Sequence, residues 1–341
     1  SNKIKKNDIF FAIKGNYIDG NNFISSAIKN GSKIIVTEKK TKDIKNGITY
    51  INVKNVRKTL AEISFKIFDR KPSNIIAVTG TNGKSSVADF YYQILDLNNK
   101  KSASIGTLGV KSKRYNKKLS NTTIDPLTLA KILSDLKKKN IDNVIMEASS
   151  HGLDQNRLDG LYFKTAIFTN LSQDHLDYHK NLTDYLNAKL YLFRNLVKRK
   201  GNVITDEEIP QFSKIKKIAT EKNLHINLIS NKNNHFQILS HEFQEYKQIL
   251  QIKLKNLTYK VELNLIGKIQ LKNLLMAIYA AIKSNIEIKK ILKIIPKIKP
   301  IEGRFEKIGI VKNKSTVILD YAHTPDALKT CLMNIKEQFP H

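Results

Sequence analysis

The stretch Val78-Thr79-Gly80-Thr81-Asn82-Gly83-Lys84-Ser85-Ser86 constrains this chain more than any other. Before it runs Asn74-Ile75-Ile76-Ala77-Val78, a short apolar run that reads as a buried strand. After it, Val87 to Leu95 places apolar residues at helical spacing. A strand, a glycine-bearing turn and a helix in that order make a phosphate cradle. Gly80 and Gly83 permit tight backbone angles, and the loop N–H groups and the helix N-terminus face an anion. Lys84 can reach the β- and γ-phosphates of a nucleotide, and the Ser85 hydroxyl can bind Mg²⁺. The general pattern for such loops asks for a further glycine where Val78 stands; the Gly-Lys-Ser ending holds.

At 341 residues the chain has room for two or three domains and a sizeable core. Its net charge of +29 would ordinarily point to nucleic acid or an anionic surface. The lysines are spread along the whole length, however, which argues against a localised basic stripe and suits a polyanionic small substrate. One cysteine, Cys331, excludes an internal disulfide and fits a reducing compartment. No signal peptide opens the chain and no apolar run approaches membrane-spanning length; Leu271 to Ile282 is broken by Lys272 and Asn273. A cytoplasmic protein is expected, with neither nucleic acid nor membrane as a partner.

Taken in order, residues 1–70 read as a small α/β unit. Strands fall at 8–13, 33–37 and 48–53, with helices at 23–31 and 56–68. Residues 71–300 alternate strands and helices, which implies an α/β fold with a mostly parallel sheet. Strands are expected at 102–109, 143–148, 165–171 and 203–204, helices at 126–138, 183–196 and 271–284, and a β-rich stretch at 226–263. Ligand sites in such sheets lie at the carboxyl ends of strands, and the polar clusters occur there. From 301 a further unit opens, with a strand at 316–323 and a helix at 325–336. One strand and one helix cannot bury a core, so residues 301–341 read as the beginning of an incomplete domain.

Thr-Gly-Thr-Asn-Gly-Lys-Ser is far more specific than the general phosphate-loop pattern, and it resembles the ATP loop of the Mur ligases and their relatives, the folylpolyglutamate synthases. Glu147 closes an apolar strand, where an acid is either a solvated terminus or a Mg²⁺ ligand. The segment Glu147-Ala148-Ser149-Ser150-His151-Gly152-Leu153-Asp154-Gln155-Asn156-Arg157 resembles the Mur ligase Glu-x-Ser-Ser-His-Gly-Leu motif. By that resemblance Glu147 is a magnesium ligand, and Ser149, Gln155 and Arg157 contact the substrate's peptidyl carboxylates. Bidentate pairing suits Arg157 to that role.

Thr169 to His179 holds two histidines and two aspartates after a strand. Zinc is a weak reading without a nearby cysteine. The segment resembles Asn-Leu-x-x-Asp-His-Leu-Asp-Tyr-His of the same family, which implies that His175 binds a second Mg²⁺ and Asp174 orients it, with His179 structural. Lys189 would by default be one more surface lysine. Its segment Ala188-Lys189-Leu190-Tyr191-Leu192-Phe193 matches the family's Ala-Lys-x-x-x-Phe helix, where a CO₂-derived carbamate on the lysine serves the second metal. An ammonium could not ligate Mg²⁺, so that role requires the modification.

Asn121-Thr122-Thr123 resembles the family's substrate loop, placing Thr122 and Thr123 against the muramoyl-peptide; a polar helix cap before Pro126 is the plain alternative. Gly267 and Asn273 match Gly-x-Phe-Asn-x-x-Asn, while Ile269 and Gln270 depart from it. Asn273 would approach adenine, or be one polar residue on a core helix. Gly303-Arg304-Phe305-Glu306 resembles the hinge motif, implying that Arg304 reaches the ATP phosphates. Asp320-Tyr321-Ala322-His323-Thr324-Pro325 implies ribose contact by Asp320 and a nucleotide-site role for His323. Near the N-terminus, Ser1 stands where the family has a serine of the uridine site, without the arginine that follows it there.

The resemblance spans nearly the whole chain and is to the MurE type. It implies a UDP-sugar-binding domain over 1–70, shortened at its N-terminus, an ATPase domain over 71–300, and the start of a truncated Rossmann-like domain over 301–341. The implied reaction is ATP-dependent amide ligation through an acyl phosphate, joining a diamino acid to UDP-N-acetylmuramoyl-L-Ala-D-Glu. ATP, two Mg²⁺ ions and the Lys189 carbamate are the expected cofactors, and the active species is expected to be a monomer. Specificity for diaminopimelate or lysine lies beyond residue 341 in this reading, and the chain as given is expected to bind nucleotide weakly and ligate poorly. Its rivals are a folylpolyglutamate synthase, a basic nucleic-acid-binding protein with a phosphate loop, and a non-catalytic fragment that binds the nucleotide sugar.

Overall fold

The computed structural model describes residues 4–15, 18–42, 44–230, 236–254, 256–312 and 315–340. The Ser1 expectation falls outside them. Among the described residues the first unit is a four-stranded sheet of β1 (Ile9–Phe11), β2 (Ile34–Thr37), β3 (Ile44–Lys45) and β4 (Ile48–Asn52), in the order β1-β2-β4-β3. Helix α1 (Ile24–Lys29) connects β1 to β2, and α2 (Val56–Ile67) leaves the sheet. The Asn55 side chain caps α2 by accepting the Lys58 N–H, which stops the helix from starting earlier. Helix α2 buries Ala61 and Phe65 against the core of the next unit, so the first unit is docked rather than tethered.

That next unit is built on β5 (Asn74–Thr79), α3 (Lys84–Leu97), β6 (Ser102–Gly106), β7 (Gly109–Lys111), α4 (Pro126–Lys138) and β8 (Asn143–Glu147). It continues through α5 (Ser150–Asp154), β9 (Phe163–Phe168), α6 (Leu182–Tyr191), β10 (Val197–Asp206), α7 (Phe212–Glu221) and β11 (His225–Ser230). The strands β12 (Phe236–Gln244), β13 (Lys247–Leu254) and β14 (Leu257–Leu263) complete the sheet, and α8 (Lys268–Lys283) and α9 (Ile288–Ile294) cover it. The order is β14-β13-β12-β11-β10-β9-β5-β8-β6-β7. From β6 to β12 every pairing is parallel; β7, β13 and β14 run antiparallel at the two edges.

Period-two side chains explain the layering. In β5, Ile75 and Ala77 enter a core shared with α2, α4, α6 and α7, whereas Ile76 and Val78 enter another shared with α3, α8 and α9. Strand β5 is buried on both faces along its whole length, as a central parallel strand should be. Truncating a fully buried ring here, such as Phe90 of α3, costs about 3–5 kcal/mol.

Several boundaries differ from expectation for physical reasons. The helix expected at 183–196 is α-helical only to Tyr191; residues 192–196 form a π-helical turn. The short strand expected at 203–204 is the ten-residue β10, interrupted by an irregularity between Val197 and Asn202. Helix α7, helix α9 and strand β3 were not expected, nor was β15 (Glu306–Ile310), which pairs antiparallel with β16 (Thr316–Leu319). Strand β16 stops at Leu319 because Asp320 turns the chain, its carboxylate accepting the Phe305 and Ala322 N–H groups. Helix α10 (Pro325–Gln338) follows with Thr324 as its cap. A small cluster of Ile266, Phe305 and Cys331 anchors this last unit to the sheet.

Candidate active site

The loop after β5 turns into α3 at Gly83, whose φ of +85° is a backbone conformation that side chains resist. A Cβ there would also sit 2.4 Å from Asn273 Oδ1. No side chain caps α3. Its first-turn N–H groups, which no helix satisfies internally, therefore border open space. Asn170 pins the loop from the neighbouring strand end: its carbonyl accepts from Thr81 N and its Oδ1 from Asn82 N.

This helix terminus forms one wall of a cavity of about 180 Å³. Thr81, Asn82, Gly83, Lys84, Ser85 and Ser86 line it from the loop, and Glu147 and Ser149 from the end of β8. Thr122, Asp174, His175, Lys189, Arg304 and His323 complete the set brought together from those singled out in the sequence. Gly80 contributes its carbonyl, which accepts from both Lys84 Nζ (3.0 Å) and Lys189 Nζ (2.8 Å). Lys84 Nζ also donates to the Thr81 carbonyl at 2.7 Å.

Glu147 is buried and makes no ion pair among the described residues, although Lys84 is near enough to feel its charge. Its Oε1 accepts from Ser85 Oγ and Thr107 N, each at 3.0 Å, and Oε2 from Thr107 Oγ1 at 3.2 Å. Gly106 makes room for this carboxylate, since a Cβ at Gly106 would lie 2.1 Å from Oε1. The Ser150 hydroxyl on the same wall is buried without a hydrogen-bond partner. A desolvated carboxylate facing a cavity, beside a serine at a helix N-terminus, is a donor set that fits a hard divalent cation.

Lys189, at 1% exposure, is one of the largest fully buried side chains. Its Nζ lies 4.2 Å from the Tyr185 ring centre, and no carboxylate pairs with it among the described residues. Burial, then repulsion from Lys84, holds its pKa well below the ordinary lysine value. Burial lowers Lys84 as well, opposed by Glu147. His175 has a φ of +53°; Asp174 Oδ1 accepts its backbone N–H at 2.8 Å and Oδ2 lies 3.5 Å from its Nε2. Burial pushes the His175 imidazole below its usual value, toward the neutral form that a metal ligand requires. His179 is buried with Nε2 unpartnered and stacks near His151 and Tyr185.

A smaller cavity of about 50 Å³ adjoins the first and is lined by Asn82, Gly83, Ser86, Asn273, Arg304 and Asp320 among others. Arg304 lies over the Tyr321 ring at 4.5 Å and borders both cavities. Gln270, a departure from the family pattern, donates to the Arg304 carbonyl and accepts from Asn273, so a buried amide pair supports the hinge backbone.

Some singled-out residues lie elsewhere. Thr123 is a strut: its hydroxyl donates to the Glu147 carbonyl and accepts from Ser149 N and Ser149 Oγ, leaving it no capacity for a substrate. Asp125, not the threonines, caps α4. Gln155 and Arg157 sit together outside the cavity, joined to it through Thr123, whose carbonyl accepts from Arg157 Nη1. Thr107, Ser150 and Tyr321 line the cavity without having been singled out; Thr107 and Ser150 each follow the carboxyl end of a parallel strand, which was the available signal.

The Mur ligase middle domain matches residues 78–281, and the Mur ligase family catalytic domain matches residues 1–66. The UDP-N-acetylmuramoyl-L-alanyl-D-glutamate–2,6-diaminopimelate ligase of Rickettsia bellii is 37% identical over 98% of this chain and 69% of its own length. That of Rickettsia typhi is 35% identical over 100% of this chain and 69% of its own. A solved structure of an enzyme with the same name superposes with a TM-score of 0.83 at 28% identity, over 98% of this chain and 68% of its own.

Proposed function

This chain belongs to the Mur ligase family, and we propose that it is the MurE-type ligase joining a diamino acid, meso-diaminopimelate, to UDP-N-acetylmuramoyl-L-Ala-D-Glu at the cost of ATP. The observation that carries this reading is the meeting of the 81–86 loop, the buried Glu147 carboxylate and the buried Lys189 around one cavity.

In the proposed reaction the glutamyl γ-carboxylate takes the γ-phosphoryl group of ATP, giving an acyl phosphate and ADP. The diamino acid's amine then attacks the acyl carbon, and phosphate leaves. The α3 N-terminus and loop N–H groups cradle the nucleotide phosphates. Lys84 neutralises charge on them and Arg304 does so from the hinge. Asn273 and Asp320, in the adjoining cavity, hold the nucleoside. Ser85 and Glu147 would hold one Mg²⁺, with His175 and a carbamylated Lys189 serving a second. Bound Mg²⁺ would neutralise the charge that builds during phosphoryl transfer. The depressed Lys189 pKa supports the carbamate, because only a neutral amine adds to CO₂. Ser149, Gln155 and Arg157 hold the peptide end of the substrate, and Thr122 borders it.

In this reading residues 1–70 take the nucleotide sugar, 71–300 the ATP, and 301–341 open a third domain. Large apolar side chains on β15, β16 and α10, including Ile308, Leu319 and Leu332, are exposed, which supports a unit with more to pack against it. We take the working form to be a monomer.

The test is mass spectrometry of the product from UDP-N-acetylmuramoyl-L-Ala-D-Glu, ATP and either diaminopimelate or lysine. One new amide per ADP is expected, formed slowly by this chain, and the amine that yields it names the specificity. Binding of the UDP substrate without product from either amine would reduce the chain to a binding unit. Failure to bind it would overturn the reading.

A further inference from the structure

We infer that Arg57 is a further substrate-binding residue: with Arg157 it forms a two-guanidinium subsite across the seam between the first unit and the central sheet, and this subsite takes the glutamyl carboxylate that does not react. The inference rests on the proposed function, which supplies the anionic substrate.

Arg57 lies in the first turn of α2, in the first unit, and Arg157 in the turn that follows α5. Both are half-buried. Arg157 Nε and Nη2 donate to Gln155 Oε1 at 3.2 and 2.8 Å, and Arg57 Nη1 donates to the same oxygen at 3.4 Å. Arg57 Nη2 donates to the Lys14 carbonyl at 3.1 Å, and Arg157 Nη1 to that of Thr123. Every one of these acceptors is neutral, and among the described residues neither guanidinium makes an ion pair. The nearby acids are committed elsewhere: Asp154 accepts from Tyr178 Oη, and Asp125 caps α4.

Two like charges that converge on one amide oxygen repel each other, and partial burial reduces the screening. The Arg157 pKa is accordingly lowered, first by burial and next by Arg57. One neutral oxygen cannot offset two cations, but a carboxylate can, and the guanidinium fork matches it in shape. Gln155 is held for the purpose by its own Nε2, which donates to Tyr178 Oη at 3.1 Å.

Position selects which anion. Arg157 reaches the cavity wall through Thr123, whose hydroxyl accepts from Ser149, and Ser149 lines the cavity in which the γ-carboxylate must react. The α-carboxylate of the same glutamyl residue is a few bonds away, whereas the diphosphate lies at the far end of the molecule. Occupancy of this subsite would also tie the first unit to the central one.

The test is a thermodynamic cycle by calorimetry. Wild-type protein and Arg57→Gln are each titrated with UDP-N-acetylmuramoyl-L-Ala-D-Glu and with its analogue carrying an α-carboxamide. The wild type is expected to prefer the acid by about ten- to hundredfold, the size of a charge-assisted contact. Arg57→Gln should weaken the acid by about tenfold, leave the amide nearly unchanged, and so reduce the preference to what Arg157 alone supports. Equal weakening of both ligands would overturn the inference and make Arg57 a strut between the units. Should Arg57→Gln fail to fold, by circular dichroism, Arg57→Lys runs the same cycle; a reduced preference supports the subsite and a full one refutes it. Wild-type protein that binds neither ligand overturns the functional reading and this inference with it.

Discussion

Replacing Lys189 by methionine should make the protein more stable at neutral pH while removing ligation. The ammonium has three protons to place, yet in its buried position it donates one hydrogen bond, to Gly80, and otherwise faces the Tyr185 ring. Its folded pKa is lowered well below the ordinary 10.5. Between that folded value and 10.5 the unfolded chain binds a proton that the folded chain does not, so stability from this group rises with pH by up to about 1.4 kcal/mol per unit. Below the folded value the penalty is complete and flat. At pH 7 it cannot exceed about 5 kcal/mol, the interval from 7 to 10.5 multiplied by that slope. Methionine removes the charge at similar length. The lost hydrogen bond costs about 1 kcal/mol, the low end of the range, because the Gly80 carbonyl keeps its bond from Lys84.

The net expectation is a gain of roughly 1–4 kcal/mol at pH 7 in CO₂-free buffer, shrinking toward zero as pH approaches 10. Thermal melts of both proteins across pH 6 to 10 read it directly. Bicarbonate should raise the wild-type melting temperature and leave the variant's unchanged, since only the lysine can form a carbamate. A variant less stable than wild type at pH 7, or an advantage that does not change with pH, would show that the buried amine carries no charge penalty.

Gly106→Ala should cut Mg²⁺-dependent nucleotide binding by about tenfold or more, because the new methyl collides with the Glu147 carboxylate on its backbone side, 2.1 Å from Oε1; calorimetry with and without Mg²⁺ checks this, and unchanged affinity refutes it. Arg304→Ala should weaken ATP by about tenfold through the loss of one charged contact, with affinity for the UDP substrate changed far less, since in the proposed reading residues 1–70 take the nucleotide sugar and Ser149, Gln155 and Arg157 its peptide end. Cys331 should react slowly with thiol reagents at pH 8 until the protein is unfolded: burial pushes its thiol up to about 11, so the thiolate is scarce. Rapid labelling of folded protein would refute that.

How much of this was legible depended on whether the signal was local. The phosphate loop could be read because strand, turn and helix each have their own pattern and stand in sequence. Helix α4 carries its own boundaries in Asp125 and Pro126, and the expected 126–138 is what forms. Helix α7 was readable in principle, with Phe212, Ile215, Ile218 and Ala219 on one face, but its lysine-rich remainder resembles the rest of the chain. The π-helical turn at 192–196 has no sequence signature, because it answers to packing under α6 and α7 rather than to propensity.

The lysines show the limit most clearly. Their abundance makes any one of them look like solvated surface, and the charge of the chain says nothing about which are special. Lys189 could be separated only through the pattern around it; in the folded chain it is separated by burial alone. Arg57 had no such pattern. An arginine in the first turn of a helix is ordinary, even mildly unfavourable beside the positive end of the helix dipole. It becomes unusual only when α2 docks on the central unit and sets its guanidinium against Gln155, the residue that already serves Arg157. Two cations brought to one neutral oxygen by residues about a hundred positions apart are a property of the docked surface, and a tertiary arrangement that stores repulsion is where a ligand of opposite charge is to be sought.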